Sequence, residues 1–198
     1  MFRDRLLKPA VFLDRDGVVI RDVNHLSCPE QVQLLPGVAA AIRLLKEAGY
    51  WVILITNQSA VARGYLTEDD LAQVHQSMQN LLAISDAKLD AIYYCPHHPT
   101  EGQGAYRRIC DCRKPATGMI RRALEERRID ITESWLVGDK ETDIELGVKV
   151  GLKSILVLTG YGEAHIVAVR ESFPETLIAA NLSAAVELVL RFNRRRQR

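Results

Sequence analysis

Two aspartates separated by a single residue, Asp14 and Asp16, directly follow the apolar run at 11–13. Like charges this close repel each other, and burial would push protons onto them unless a cation offsets the charge. Thr56 and Asp139 follow apolar runs in the same way. These side chains supply three carboxylates and a hydroxyl, a set suited to holding a cation and a phosphorylated ligand.

Three clustered carboxylates favour Mg²⁺, which prefers oxygen ligands and commonly joins one or two carboxylates to a substrate phosphate. We expect its ligands to be the side chains of Asp14 and Asp139 and the backbone carbonyl of Asp16. Asp143 lies one helical turn beyond Asp139 and is expected to support the site as an outer hydrogen-bond acceptor.

The same residue types suit phosphoryl transfer, which requires positioning and neutralisation of the oxygens on the transferred group. An aspartate can attack phosphorus and form an aspartyl phosphate, which divides one difficult displacement into two easier ones. Asp16 would protonate the departing alkoxide and afterwards take a proton from the hydrolytic water. The Lys114 ammonium and the Thr56 hydroxyl would bind the phosphoryl oxygens.

Apolar runs bounded by turn residues alternate with stretches of helical period, a pattern typical of a parallel sheet covered by helices. Strands are predicted at 10–13, 51–55, 91–95, 135–137 and 154–158. Helices are predicted at 36–49, 67–83, 117–126, 141–150 and 183–192. Thr67 is a predicted N-cap because Asp70 follows three residues later.

The predicted fold is α/β, a Rossmann-like parallel sheet with helices on both faces. In such an open sheet, ligands bind beyond the carboxyl ends of the strands. The segments after strands one, two and four, together with Arg113 and Lys114, are expected to converge there. Between Asp16 and Thr56 there is room for one helix and a short loop, so we expect a capless fold. Substrate selection would then fall to the loops at 21–28, 59–66 and 95–113.

A second group of side chains suits a metal of a different kind. Cys95, His97, Cys110 and Cys112 supply three thiolates and an imidazole, a donor set for a closed, tetrahedral, structural zinc site. Zinc would hold a polar, glycine-containing loop at 95–112 that otherwise has little to pack against. His98 competes with its neighbour as the imidazole ligand, and reduced cysteines without a metal are the alternative. Cys28 is expected to be a free thiol.

Bulk composition narrows the class of protein. The chain has 198 residues, 47% of them hydrophobic, and a formal net charge of +1, which suits one compact domain over 1–198. A nearly neutral chain gives no reason to expect nucleic acid or an anionic membrane as partner. The start of the chain lacks a signal-peptide pattern, so we expect a cytoplasmic protein. The basic tail at 193–198 is expected to be solvated, and no apolar stripe demands an oligomer, which favours a monomer.

Four ordered segments resemble the motifs of the haloacid dehalogenase-type phosphohydrolases, namely FLDRDGV, ITNQS, CRKP and VGDKETD. The resemblance implies Asp14 as nucleophile and Asp16 as acid and base. It also implies Thr56 and Lys114 as phosphate ligands and Asp139 as a magnesium ligand.

The segments TNQSAVARG, YYCPHHP and CDCRKPATGM resemble, more narrowly, the heptose 1,7-bisphosphate 7-phosphatases, over about residues 12–162. The related histidinol-phosphate phosphatases share the zinc loop but usually have an acidic residue at the position of Ser59. A heptose bisphosphate carries a second dianion that requires basic partners. The candidate substrate-binding residues are Thr56, Asn57, Gln58, Ser59, Arg113, Lys114 and Lys140, with Arg63, Arg107 and Arg108 at the rim.

The loop after the first motif departs from the family pattern. The phosphatases of this family usually read N-x-D-x-G-Y there, whereas this chain has Arg21-Asp22-Val23-Asn24-His25-Leu26. Asp22 keeps an acidic residue at the place where the family binds sugar hydroxyls, and His25 is a further candidate contact.

Three hypotheses follow from the sequence. The favoured one is a Mg²⁺-dependent phosphatase that removes the C7 phosphate of D-glycero-D-manno-heptose 1,7-bisphosphate, in the supply of nucleotide-activated heptose. The second is a phosphatase of histidinol phosphate or another small sugar phosphate. The third is a zinc-stabilised binding module without catalysis, against which the intact set of Asp14, Asp16, Lys114 and Asp139 argues. The preferred anomer at C1 is left open.

Overall fold

The structure is a computed structural model that describes residues 7–24 and 26–196. Across these residues six strands form one parallel sheet in the order β3-β2-β1-β4-β5-β6. The strands are β1 (Lys8–Leu13), β2 (Trp51–Asn57), β3 (Ala91–Cys95), β4 (Ile129–Gly138), β5 (Lys153–Val157) and β6 (Leu177–Ala179). The chain runs outward from β1 to β3 and then crosses back to β4. The crevice that this reversal leaves between β1 and β4 is where such sheets bind ligands.

Helices connect the strands. They are α1 (Val38–Glu47), α2 (Ser59–Ala62), α3 (Glu68–Ala83), α4 (Gly118–Glu126), α5 (Glu141–Lys149), α6 (Gly162–Ser172) and α7 (Leu182–Arg196). Helix α3 begins as predicted: the Thr67 hydroxyl accepts from the Asp70 backbone N–H, and the Asp70 carboxylate accepts from the Thr67 N–H.

Both faces of the sheet are covered. On one face, Val11 and Leu13 of β1 pack in a buried cluster with apolar side chains of α1, α3 and α7. On the other face, Phe12 of β1 packs with Met119 and Ile120 of α4. Successive residues of a strand point to opposite faces, so an uninterrupted apolar run is what a doubly covered strand requires. The predicted Rossmann-like architecture is confirmed.

Several elements differ from the prediction. β6, α2 and α6 were not predicted; β6 and α2 have three and four residues, too few for a recognisable period. β4 begins at Ile129 rather than at 135, because the polar residues of its first half lie on a partly solvated extension that pairs with Lys8. α7 continues to Arg196, beyond the predicted end at 192, so the first residues of the basic tail are helical; residues 197 and 198 lie outside the described residues.

Between β1 and β2 the described residues form only short turns, the 3-10 helix Pro29–Gln31 and α1. The prediction of a capless fold is confirmed over this range. Among the helices that the structure describes, none is both long enough and apolar enough to cross a membrane.

Candidate active site and metal centre

Carboxylates converge at the carboxyl edge of the sheet, but the third member of the cluster is Asp143 instead of the predicted Asp16. Asp14 follows β1 and Asp139 follows β4, and these two strands pair side by side up to Leu13. Asp143, in the first turn of α5, faces the same place, and its Oδ2 accepts from the Lys140 N–H at 3.1 Å. Carboxylate oxygens of Asp14, Asp139 and Asp143 lie within 4.8 Å of one another, and all three residues are buried.

Lys114 enters this cluster from the segment between β3 and α4. Its Nζ lies 2.8 Å from Oδ1 of Asp14 and 2.6 Å from Oδ1 of Asp143, and donates to the Ile55 carbonyl at 3.0 Å. The side-chain amide of Asn57 holds the backbone of Lys114, since Oδ1 accepts its N–H and Nδ2 donates to its carbonyl. Asn57, predicted to contact substrate, thus positions the lysine with both of its polar atoms.

The charges in this cluster do not balance. Burial raises the pKa of Asp14 above its usual value, although the Lys114 charge lowers it. Burial, and then the neighbouring Asp14 charge, raise the pKa of Asp139 to about 7. Burial would lower the pKa of Lys114, but the charges of Asp14 and Asp143 raise it above its usual value. The Lys114 ammonium contacts two of the three carboxylates, and the Lys140 charge acts on the cluster as well. The carboxylates still outnumber the ammonium groups, so additional positive charge would stabilise the ionised cluster.

The two carboxylate oxygens of Asp139 have different surroundings. Its Oδ2 accepts from the Tyr161 N–H at 2.9 Å, whereas Oδ1 is buried and has no hydrogen-bond partner among the described residues. Gly17 and Gly160 approach it closely, since a Cβ on either would lie 2.4 or 2.3 Å from Oδ2. A buried carboxylate oxygen without a donor is costly unless a cation meets it. These carboxylates fit a hard cation such as Mg²⁺, which selects oxygen donors.

Asp16 has a different environment from Asp14. Its carboxylate accepts from the Arg15 guanidinium at 3.0 Å and from Nε2 of Gln58 at 2.9 Å. Burial opposes ionisation of Asp16, but the Arg15 charge and these hydrogen bonds hold its pKa below the usual value. Gln58 Nε2 also donates to the Thr56 hydroxyl at 2.8 Å, so one amide connects Asp16 to the hydroxyl predicted to bind the phosphate.

A pocket of about 340 Å³ opens beside Asp16. The loop after β1 and the end of β5 form one wall, where the Tyr161 hydroxyl donates to Asn24 at 2.9 Å and Lys140 Nζ lies 4.7 Å from the Tyr161 ring centre. Lys140 also lies 3.9 Å from the Asp22 carboxylate. Sequence analysis missed Asn24 and Tyr161, although Tyr161 follows a predicted strand as the other site residues do. His25, a predicted contact, lies outside the described residues.

The basic residues predicted to surround the substrate differ in how close they lie to the pocket. Ser59 and Arg63 line the pocket, and Arg63 pairs with Glu101 at 2.8 Å. Arg113 donates to the His97 carbonyl at 3.0 Å, and Arg107 and Arg108 are exposed on the loop at 95–112. The structure therefore brings one of the three rim arginines, Arg63, to the pocket wall.

The four predicted zinc ligands lie together. Cys95 Sγ is 3.5 Å from Cys110 Sγ and 3.1 Å from Cys112 Sγ, and His97 Nδ1 is 3.3 Å from Cys112 Sγ. Zinc–sulfur bonds of about 2.3 Å at tetrahedral angles place sulfurs roughly 3.8 Å apart, so a small outward shift of these sulfurs would accommodate the ion. All four cysteines of the chain are free, including the half-buried Cys28, which lies outside this cluster. The donor set fits a closed zinc site.

The loop around this cluster makes a backbone hydrogen bond to the segment that lines the pocket beside Asp16. His98 turns its Nδ1 to the Glu101 N–H at 2.9 Å, which removes that nitrogen from competition for the metal. At the loop tip, Gln103 donates its N–H to the Ala62 carbonyl beside the pocket. Gly102 is required there, because its φ is positive and a Cβ would lie 2.2 Å from the same carbonyl oxygen.

Comparisons with known proteins agree with this fold and site. Residues 111–185 match a family model described as HAD-hydrolase-like. A D-glycero-D-manno-heptose-1,7-bisphosphate 7-phosphatase of Thermosynechococcus vestitus is 42% identical over 92% of this chain and 95% of its own length. A D-glycero-beta-D-manno-heptose-1,7-bisphosphate 7-phosphatase of Haemophilus influenzae is 45% identical over 78% of this chain and 84% of its own. A solved D,D-heptose 1.7-bisphosphate phosphatase of B. bronchiseptica, complexed with magnesium and phosphate, superposes with a TM-score of 0.81, at 33% identity over 92% of this chain and 98% of its own.

The parallel sheet and its carboxylate cluster define a haloacid dehalogenase-like hydrolase. Within that class the chain belongs to the family of heptose 1,7-bisphosphate 7-phosphatases. The prediction of a phosphoric monoester hydrolase is confirmed.

Proposed function

We propose that this chain is a Mg²⁺-dependent phosphatase that removes the C7 phosphate of D-glycero-D-manno-heptose 1,7-bisphosphate, through an aspartyl-phosphate intermediate. The observation that carries the proposal is the buried group of Asp14, Lys114, Asp139 and Asp143, in a chain of this family. The product would supply nucleotide-activated heptose for cell-surface polysaccharide. A cytoplasmic monomer is part of the same proposal.

Asp14 is the proposed nucleophile. Its carboxylate oxygen attacks phosphorus, and the bond between phosphorus and the sugar oxygen breaks as the aspartyl phosphate forms. Lys114 and the Thr56 hydroxyl hold the phosphoryl oxygens. Mg²⁺, held by the side chains of Asp14 and Asp139 and the carbonyl of Asp16, would supply the charge that offsets the phosphate and the carboxylates.

Asp16 moves the proton in both half-reactions. It protonates the departing sugar oxygen, and afterwards takes a proton from the water that attacks phosphorus and releases inorganic phosphate from Asp14. The Arg15 charge favours ionised Asp16. An incoming phosphate dianion has the opposite effect, because a nearby like charge favours the neutral carboxyl. The two influences together would let one residue serve as acid and then as base.

The pocket beside Asp16 is the proposed site for the rest of the sugar. Asp22 and the Ser59 hydroxyl would contact sugar hydroxyls, and Lys140 would bind the second phosphate. Arg63 and Arg113 are further basic candidates, at the pocket wall and on the neighbouring loop.

Zinc is proposed to be structural. Cys95, His97, Cys110 and Cys112 would fill all four positions of a tetrahedral ion, which leaves none for substrate or water. Its effect on catalysis would be indirect. Arg113 and Lys114 directly follow Cys112 in the chain, so a fixed Cys112 would help to position them.

The test is kcat/KM for phosphate release with Mg²⁺, measured on both anomers of the heptose 1,7-bisphosphate, on histidinol phosphate and on a few sugar monophosphates. A strong preference for one heptose anomer is the expected result, and it assigns the substrate. Equal, low activity on all of these compounds would overturn the substrate assignment but not the proposed phosphatase mechanism. No turnover of any phosphate ester would favour a binding module.

A further inference from the structure

Arg15, between the two catalytic aspartates, is a buried residue that enters the mechanism above only through the effect of its charge on Asp16. Its side chain is 2% exposed. Nε and Nη2 donate to Oδ1 of Asp16 at 3.2 and 3.0 Å, and Nη2 also lies 3.0 Å from Oδ2 and 2.8 Å from the side-chain oxygen Oε1 of Gln58. A guanidinium presents its donors in a rigid plane, so this contact restricts the orientation of the carboxylate as well as its charge.

The His75 side chain contacts the Arg15 guanidinium. It lies on α3, outside the four motifs, and is 7% exposed. Its Nε2 is 3.4 Å from Nη1 of Arg15. A guanidinium has only donors, so this ring nitrogen must be the acceptor and the imidazole must be neutral. Burial, and then the Arg15 charge, lower the pKa of His75 to about 3, consistent with a permanently neutral ring.

We infer that Arg15 and His75 are positioning residues that hold the Asp16 carboxyl in the orientation needed for proton transfer to the sugar oxygen. The inference rests on the proposed role of Asp16. Asp16 needs such support because it lies in the loop after β1, and the next residue, Gly17, has a positive φ of 78°. Gln58 extends the connection, since its amide contacts both Asp16 and the Thr56 hydroxyl. Through Gln58, the orientation of the Asp16 carboxyl is linked to the Thr56 hydroxyl and so to the proposed position of the phosphate.

The experiment compares two leaving groups in the first turnover, with enzyme in excess. Nitrophenyl phosphate releases a stable phenolate that needs no proton, whereas a sugar phosphate releases an alkoxide that does. The sugar phosphate used is whichever one the wild-type protein hydrolyses fastest. If heptose 1,7-bisphosphate is not the substrate, the wild-type protein will hydrolyse another sugar phosphate faster. The comparison of the two leaving groups can still be made with that sugar phosphate.

His75→Phe keeps the ring volume and removes the acceptor. We expect it to slow the first turnover of the sugar phosphate roughly 10- to 100-fold, as small misplacements of a catalytic group do, and to slow nitrophenyl phosphate much less. His75→Gln, which can again accept from Arg15, is expected to recover most of the rate. Should His75→Phe fail to fold, Arg15→Lys provides the same comparison, because lysine keeps the charge and loses the planar fork.

Val74→Ala is the matched control. Val74 precedes His75 on α3 and is fully buried, but faces the apolar core. Its truncation weakens the fold without touching Arg15, so both leaving groups should keep their wild-type rate ratio. Equal loss on the two leaving groups in His75→Phe, or no loss on either, overturns the inference.

Discussion

Lys114 and Asp143 form one of the most buried ion pairs that the structure describes, with Nζ 2.6 Å from Oδ1 and side chains 3% and 1% exposed. The ammonium is shared, because it also lies 2.8 Å from Oδ1 of Asp14. Breaking a buried pair by removing one partner leaves an uncompensated charge, which is far more costly than losing a pair in water. The lysine therefore has a structural role in addition to its proposed contact with phosphate.

Replacing this lysine should destabilise the metal-free protein strongly. We expect Lys114→Met to lower the free energy of unfolding by about 3–5 kcal/mol, because two buried carboxylates lose their cation. Urea denaturation measures the change. Lys149→Met is the control, since Lys149 pairs with Glu145 at 2.7 Å on the exposed side of α5. That pair should be worth less than about 0.5 kcal/mol. Equal losses in the two variants would contradict the assignment of a charge-balancing role.

Asp14→Asn should abolish turnover while the fold persists. The amide keeps the shape of the side chain but is not a nucleophile, so kcat should fall by at least about 10⁴-fold. Burial raises the pKa of Asp14, which shows that the charged form is disfavoured there. The neutral amide should therefore not lower the unfolding midpoint of the metal-free protein. A fully active Asp14→Asn variant would remove Asp14 from the role of nucleophile.

The metal-free protein should lose stability as the pH rises toward neutrality. Asp139 has a folded-state pKa of about 7, above its unfolded value of 3.8, so between these values the folded state binds more protons than the unfolded state. The free energy of unfolding then falls as the pH increases, with a limiting slope of about 1.4 kcal/mol per pH unit from this group. Saturating Mg²⁺ should oppose the loss, because it stabilises the ionised carboxylate.

Denaturation of the chelated protein at a series of pH values from 4 to 8 measures this slope. Asp139→Asn is the matched variant, because it has no proton to lose and should show a smaller slope than the wild-type protein. Equal slopes in the two proteins would mean that Asp139 is already ionised in the folded state.

Removal of zinc should loosen the loop at 95–112. Its backbone is joined to the rest of the fold near its two ends, where the Cys95 and Asp111 carbonyls accept from the Gln58 and Gly118 N–H groups, and by the bond from Gln103 to Ala62. Once a chelator has removed the metal, we expect faster amide exchange across this loop and lower kcat, since Arg113 and Lys114 follow it directly. Exchange in α7, on the opposite face, is the internal control. Unchanged exchange in the loop after verified loss of zinc would contradict the structural role.

Much of the fold could be predicted because its signals are local. The apolar runs of β1, β2 and β3 are continuous, and the Thr67 cap with Asp70 marks the start of α3. β6 and α2 carry too few residues to show a period, so their formation depends on the neighbouring strand or loop. α6 presents only two buried residues, and its helical pattern is correspondingly weak.

The sequence by itself determined the chemistry, because the residue types and the order of the motifs restrict which reactions the chain can support. The residue pattern alone puts Asp14 and Asp139 at the ends of strands, and Cys95, His97, Cys110 and Cys112 around one loop. Only the tertiary structure decided how these groups are held. It brings His75 of α3 into contact with Arg15, 60 residues away in the chain, and Tyr161 into contact with Asn24, 137 residues away. Such contacts leave no local pattern, because they depend on how helices and strands distant in sequence pack around one buried carboxylate.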